Sequence, residues 1–441
     1  MPNFIMSYLD SKDAMTPGAA GSQFWALIYV LIIFAGVSVT VMAMNWLERK
    51  ALAHFQIRLG PMRVGPHGLL QPIADALKLM LKEDIIPAEA DQFVFWVAPL
   101  IGLLAAFTVY TVIPFGPSQA VSDMNIGILF MLGVSSLGVL GIVVAGWASN
   151  SHYPLIGALR SSAQMVSYEV AMGLVVVSAI LMTSLHGIGM YGVTGNGDTG
   201  TLSMIGIVQA QQEQHVWFIF KFFPLGLIAF VIFAIAMVAE TNRAPFDMAE
   251  AESELTAGFH TEYSGLRWSL FMLAEYAAMI AVSAIAVTLW LGGWMHPFPN
   301  LLNAPAWEFI FSLFPGLTFA GLAAIAFIGT ARMPSHSFFK IQRFGLAVFA
   351  ALLGFIALLL LVIAVAGRSA DASVAARFRE GIDYVYWFVL KVAVFMYLFI
   401  WYRATWPRYR FDQLMKIGWK VMLPISLGVL VLTAIVGVIF S

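Results

Sequence analysis

Ten apolar runs, most of them near 20 residues long, recur along the chain at 24–46, 93–115, 126–148, 166–186, 216–239, 268–291, 307–331, 344–367, 384–402 and 422–440. A bilayer core takes about 20 helical residues to cross. Lipid offers no partner for backbone N–H and C=O groups, so a spanning chain must be helical or a closed barrel. These runs are too long and too continuously apolar for barrel strands. The expected fold is therefore an all-α polytopic membrane helical bundle of ten transmembrane helices. The composition agrees: 11% of residues are charged, against about 25% in soluble domains.

Positive charge gives the orientation. With the N-terminus outside, the cytoplasmic stretches hold 17 of the 23 Lys and Arg and the outer side 4, with Lys221 and Lys391 inside spans. The expectation is a bacterial cytoplasmic (inner) membrane protein with both termini on the outer side. The N-terminus lacks the basic start of a signal peptide, so the first run reads as a retained span. No internal repeat of the kind found in secondary transporters is visible. The third span carries Gly127, Gly133, Gly138, Gly141 and Gly146, which points to close helix packing through small residues.

The absence of cysteine removes cysteine-ligated iron–sulfur clusters and c-type haem. Eight His residues are scattered singly, so no haem, flavin or metal of its own is expected. A net charge of −1 excludes a strong nucleic-acid role.

Three stretches carry polar chemistry. From Gly68 to Glu83, Leu69, Leu70, Ile73, Ala76, Leu77, Met80 and Leu81 recur at three and four residues, the pattern of an amphipathic helix at the membrane surface. With "ERK" ending the first span and Arg58 and Arg63 following, this region suits a ligand with a polar head and an apolar tail. Within the spans, Glu169 follows Arg160 by nine residues and Glu275 follows Arg267 by eight. Both sit roughly 12 Å along their segments at about 1.5 Å per residue, a matching depth that fits one polar path. Lys391 lies near mid-span, where a charge is a functional candidate by default, with an ion pair that fixes helix packing as the alternative.

The third stretch, "AETNRAPFDMAEAESELTAGFHTEY" at 239–263, concentrates Glu240, Asp247, Glu250, Glu252, Glu254 and Glu262 between two apolar runs. Pro245 is placed to start a helix ending near Ala257. Asp247, Glu250 and Glu254 would then share a face. Coupled carboxylates titrate as a group, closer to neutral pH than isolated ones. The interleaved Phe246, Met248, Leu255 and Phe259 predict that the segment packs against something.

Four motifs, "NWLERKALAHFQIRLGPMRVGPHGLLQPIADALKLMLKE", "SHYPLIGALRSSAQMVSYE", "AETNRAPFDMAEAESELTAGFHTEYSGLRWSLFMLAEYA" and "IWYRATWPRYRFDQLMKIGWKVMLP", closely resemble the NuoH-type membrane subunit family of proton-pumping NADH:quinone oxidoreductase, respiratory complex I. The match covers most of 24–295 and 383–440. The resemblance implies a membrane component without a redox cofactor that forms the quinone passage where the peripheral arm meets the membrane arm. Quinone, ubiquinone or menaquinone, is then the substrate, and the partners are other complex I subunits of the peripheral quinone module and the membrane arm, together with lipid. By motif position, Glu48, Arg49, Arg58 and Asp75 would line the passage. Asp247, Glu250, Glu252, Glu254 and Glu262 would face the quinone cavity, with Arg243 neutralising part of that cluster and Phe246 beside it. Glu169, Glu240 and Glu275 would continue the polar path into the membrane, and Lys391 also matches a family position.

The family has about eight core spans, so the resemblance divides the chain into a core region 1–299, an inserted helix pair 300–382 and C-terminal core helices 383–441. Two other readings compete: the equivalent component of a complex I-related membrane-bound hydrogenase, and a proton-coupled transporter. The intact ETNRAPFD and QIRLGPMRVGP motifs favour the first reading over the hydrogenase.

Overall fold

A computed structural model gives the fold of residues 20–117, 119–184, 201–248, 256–296, 305–332, 337–366 and 374–440. Its helices are α1 (Ala20–Phe55), α2 (Gln71–Leu81), α3 (Gln92–Thr108), α4 (Gly127–Ala148), α5 (His152–Ser184), α6 (Met204–Glu213), α7 (Leu225–Glu240), α8 (Gly265–Trp290), α9 (Pro305–Arg332), α10 (Ser337–Ala366), α11 (Val374–Thr405), α12 (Phe411–Lys416) and α13 (Leu423–Phe440). A π-helical turn, Ile417–Met422, joins α12 to α13. Among the described residues there is no strand. Among the described residues nine helical stretches are long and apolar enough to cross a membrane, and α7 is a shorter apolar helix. Each of the ten apolar runs therefore contains a helix, and the chain is a multi-pass membrane bundle.

The helices α5 and α8 sit at the centre. From Ala277 to Trp290 nearly every residue of α8 is buried, and Ala277, Ala281, Ser283, Ala284 and Ala286 let neighbouring helices approach. Small residues serve this purpose in lipid, where burial of apolar surface gives no drive between helices. The other central helix packs against α4, α7 and α13, and α8 packs against α3 and α11. The glycines of α4 divide by role. A Cβ at Gly141 would stand 2.9 Å from the backbone nitrogen of Gly102, and one at Gly146 would run into Ala158, whereas Gly133 and Gly138 face open space. Close packing thus explains part of the glycine stripe, and Gly138 belongs to a cavity wall instead.

The surface helix lies where periodicity predicts it. α2 has no buried residue, and Leu70, Ile73, Leu77, Met80 and Leu81 are all exposed along it. It is tethered to α1 and α8. The turn after it is fixed by Arg267, which is fully buried, pairs with Asp84 at 2.5 Å and lies over the rings of Phe95 and Trp96.

The start of the fifth span differs from expectation for a local reason. The fifth run reads as helical from 216, but 218–224 is a series of turns and α7 begins at Leu225, directly after Pro224. Proline lacks the N–H and clashes with the preceding turn, so the helix cannot extend upstream through it. Lys221, in those turns, donates to the carbonyl of Met182 and the side chain of Gln214, both at 2.5 Å. Ahead of this lies a further helix, α6, capped by the Ser203 hydroxyl on the Gly206 N–H.

The helices α9 and α10 pack mainly on each other, with α11 behind them. Gly345 of α10 also seats against Pro66, beside the start of the surface helix.

Candidate functional site

The site is built where the ends of α1, α7, α8 and α11 converge. Glu48, in α1, is buried and receives three donors from distant parts of the chain. Tyr276 Oη donates to its Oε2 at 2.6 Å, Arg243 reaches Oε1 at 3.4 Å, and Arg403 of α11 pairs with the same oxygen. The Arg243 guanidinium continues to Glu275, with Nε 2.5 Å from Oε1, and lies over the Tyr276 ring. Burial disfavours the charge on Arg243, but the carboxylates of Glu275 and Glu48 outweigh it and hold the pKa above its ordinary value. One guanidinium thus links two carboxylates, and a second anchors the first of them.

On the far side of Glu275 is an apolar cavity of about 130 Å³. Gly102, Gly138, Met165, Met172, Phe233 and Phe271 form much of its wall, and its polar groups include Glu240, Asn242, His260 and Glu275. Glu240 Oε2, Asn242 Oδ1 and His260 Nδ1 are buried with no hydrogen-bond partner. Glu169 of α5, half-buried, lies close enough for its charge to act on Glu240. The structure therefore brings Glu48, Arg243 and Glu275 into one cluster and Glu240 and Glu169 into another, with the cavity touching both.

The helix expected from Pro245 is not formed over its described part: residues 241–248 are turns and extended chain. The carbonyls that a helix would use are taken elsewhere. Pro245 accepts from the Tyr409 N–H at 3.1 Å, and Phe246 accepts from the Gln164 amide at 2.7 Å. Phe246 is wedged between Tyr168 and Tyr409, so the expected packing of this segment is present. Asp247 is buried and pairs with Arg408 at 2.9 Å. Glu262 is half-buried in the turn that follows the short 3-10 helix Gly258–His260. Glu250, Glu252 and Glu254 lie outside the described residues.

Of the residues assigned to the passage, Asp75 lies on the surface helix and Arg49 beside it, whereas Glu48 belongs to the buried cluster. Arg49 pairs with Asp75 at 2.5 Å, Gln71 of α2 also donates to Asp75, and Arg58 is exposed, bonded to Gln56. Lys391 stands apart from these carboxylates. Its ammonium donates to the carbonyls of Leu291, Gly293 and Met295 at 2.7, 2.9 and 2.6 Å, closing the chain after α8. Those three bonds use the three protons an ammonium offers.

Sequence reasoning misses Arg403, Tyr276, Arg408 and His260 as members of the site. The two arginines enter it only as topological charge. "WYRATWPRYR" does stand in a matched motif, and that is the available signal. His260 sits in the acidic stretch but looks like one of eight scattered histidines. Burial pushes its pKa down to about 3, so the imidazole is neutral in the folded state. Its ordinary value is about 6.5, and between the two the unfolded chain binds the extra proton, so stability falls as pH falls. The expected loss is about 2 kcal/mol at about pH 5. Thermal inactivation measured near neutral pH and near pH 5 should show the penalty, and His260→Asn should narrow the difference. An unchanged difference would remove His260 from the cause.

The family model described as "NADH dehydrogenase" matches residues 28–434. An H-type subunit of NADH-quinone oxidoreductase, numbered 1, from Koribacter versatilis (strain Ellin345) is 67% identical over 423 residues, covering 96% of this chain and 94% of its own. The H-type subunit numbered 2 of the same enzyme from Solibacter usitatus (strain Ellin6076) is 44% identical over 421 residues, covering 94% and 97%. With its all-helical membrane bundle and its match over nearly the whole length, the chain belongs to the NADH dehydrogenase family, in the group of H-type (NuoH) subunits of NADH-quinone oxidoreductase.

Proposed function

We propose that this chain is the quinone-binding membrane component of a proton-translocating NADH:quinone oxidoreductase, in which buried carboxylates couple quinone reduction to proton movement. The observation that carries the reading is the run of paired groups from buried Glu48 through buried Arg243 to half-buried Glu275, ending on a cavity that also holds Glu240. A quinone accepts two electrons and two protons, so charge appears and disappears near its head during reduction. An anion forming beside Arg243 or Arg403 competes with Glu48 and Glu275 for the guanidinium groups. The carboxylate that loses its partner then binds a proton more readily, because a nearby positive charge had favoured its ionised form. The cavity gives that proton a route toward Glu240 and Glu169.

In this reading Arg49, Arg58 and Asp75, beside the surface helix α2, shape the passage by which the apolar tail reaches the site. Phe246 steadies the bend that carries Arg243, and Asp247, Glu250, Glu252, Glu254 and Glu262 provide further protonatable groups on the side of the peripheral arm. Lys391 holds the far end of α8. The partners are the peripheral quinone-module and small membrane-arm subunits, in a bacterial inner membrane with both termini on the outer side. The segment 300–382 forms an added helix pair beside the passage.

Purification from native membranes tests the assignment. The chain should co-purify with iron–sulfur and NADH-oxidising subunits, and purification without them would overturn it. Within the assembled complex, Arg49→Ala should raise the apparent KM for quinone several-fold at little loss of stability, since an exposed pair contributes about 0–1 kcal/mol. Unchanged quinone kinetics would remove Arg49 from the passage.

A further inference from the structure

Gln164 of α5 is fully buried, and the two hydrogens of its amide are both used. Nε2 donates to the carbonyl of Ala239 and to the carbonyl of Phe246, each at 2.7 Å. Those carbonyls lie at the two ends of the bend that leaves α7. Ala239 precedes Glu240, and Phe246 precedes Asp247. Between them Arg243 turns inward to Glu48 and Glu275.

The amide has a single workable orientation here. Reversed, its oxygen would face two carbonyl oxygens and both bonds would become repulsive. As it stands, Oε1 is buried without a partner, an arrangement that costs about 1–3 kcal/mol. The site therefore retains a glutamine at the expense of an orphan acceptor, which identifies the two donors as the property in use. A leucine or methionine of similar size would fill the space without that penalty. The same helix carries Tyr168 one turn on, with its ring against Phe246 and its hydroxyl on the carbonyl of Leu414, and then Glu169.

We propose that Gln164 is a positioning residue: by tying both ends of the 239–246 bend to α5, it sets where Glu240 and Arg243 stand relative to Glu169. The proposal rests on the quinone-coupled proton transfer argued above. If the bend is released, Glu240 and Arg243 lose their registry while every ionisable group is still present. Quinone binding at the passage is then unaffected, and the step that suffers is turnover.

Three variants of the assembled complex test this: Gln164→Leu, Gln164→Asn and Gln164→Glu. Reduction of an artificial acceptor by NADH at the peripheral arm reports assembly. Quinone reductase kcat and KM report coupling, and hydrogen exchange of the amides at 241–248 reports the bend. Gln164→Leu should keep artificial-acceptor activity, lower kcat for quinone by at least about tenfold, as a small misplacement can, and leave KM unchanged. Exchange over 241–248 should be faster. Asparagine keeps both donors on a stem one methylene shorter and should fall between. Gln164→Glu has a donor only when protonated, so its quinone activity should recover as pH is lowered from about 8 to about 6, a range that a buried carboxyl reaches. The native complex should show no such recovery.

Native kcat in Gln164→Leu, or a flat pH profile in Gln164→Glu, would overturn the proposal. So would loss of assembly in all three variants, since Gln164 would then serve folding alone. Faster exchange with unchanged turnover would separate the bend from coupling and also count against it. A native complex that assembles but does not reduce quinone would instead overturn the functional reading, with the exchange result for Gln164 still interpretable.

Discussion

Arg243→Ala will leave little assembled complex in the membrane. The substitution removes the positive charge shared by Glu48 and Glu275, of which Glu48 is buried and Glu275 faces the cavity. Breaking a buried pair by deleting one partner costs about 3–5 kcal/mol, because the remaining charge is left without compensation. That is a large part of the 5–15 kcal/mol or so by which a domain is stable. Arg403 still holds Glu48, so the carboxylate that loses its short guanidinium contact is Glu275. Arg243→Lys should be milder: the charge returns, but an ammonium cannot span two carboxylates and lie flat on Tyr276 as the guanidinium does. The double variant Arg243→Ala with Glu275→Gln should recover part of the assembly. Native gels of solubilised membranes give the readout. Full assembly of the single Arg243→Ala variant would show that the cluster is solvated and carries little of the fold.

Glu240→Gln is the second large effect, and it is expected in activity rather than in assembly. The carboxyl lies in the cavity wall with Oε2 unpartnered, so an uncharged group of the same shape introduces no unmatched charge. A carboxamide does not exchange a proton at accessible pH. If Glu240 passes protons during turnover, quinone reduction and proton translocation should fall together, by roughly 10²-fold or more, the usual contribution of a positioned proton donor or acceptor. Reduction of an artificial acceptor at the peripheral arm should be unchanged. Persistence of both quinone turnover and translocation in Glu240→Gln would take Glu240 out of the path and leave Glu169 and Glu275 without a connecting group.

The spans and the surface helix are legible in the sequence because each reflects a local period or a run length. The inward carboxylates are legible for a related reason: a charge in an apolar run is visible without any partner. Depth along a helix locates Glu169 and Glu275, but depth does not give azimuth. Glu275 turns to Arg243, whereas Glu169 acts on Glu240. Arg403 joins Glu48 across 355 residues, and no local pattern in either segment announces the pairing. The segment that starts at Pro245 looks helical in isolation for a comparable reason. Pro245 is a good helix start by itself, but Gln164 and Tyr409, both remote in sequence, compete for the carbonyls. Where a remote donor takes a backbone acceptor, propensity is overruled.

The three-way hold on Glu48 also has a bearing on how the chain is made. Glu48 lies in the first apolar helix, and Arg403 is synthesised 355 residues later. At about 5–20 residues per second, that is an interval of roughly 20–70 s. Arg243 and Tyr276, made 195 and 228 residues after Glu48, reach it earlier in that interval. Arg403 completes the hold, so the end of α1 is the last part of this cluster to be sealed. Chains that stop short of Arg403 would hold Glu48 by Arg243 and Tyr276 alone, leaving the first helix tied to the bundle by fewer bonds than in the finished protein.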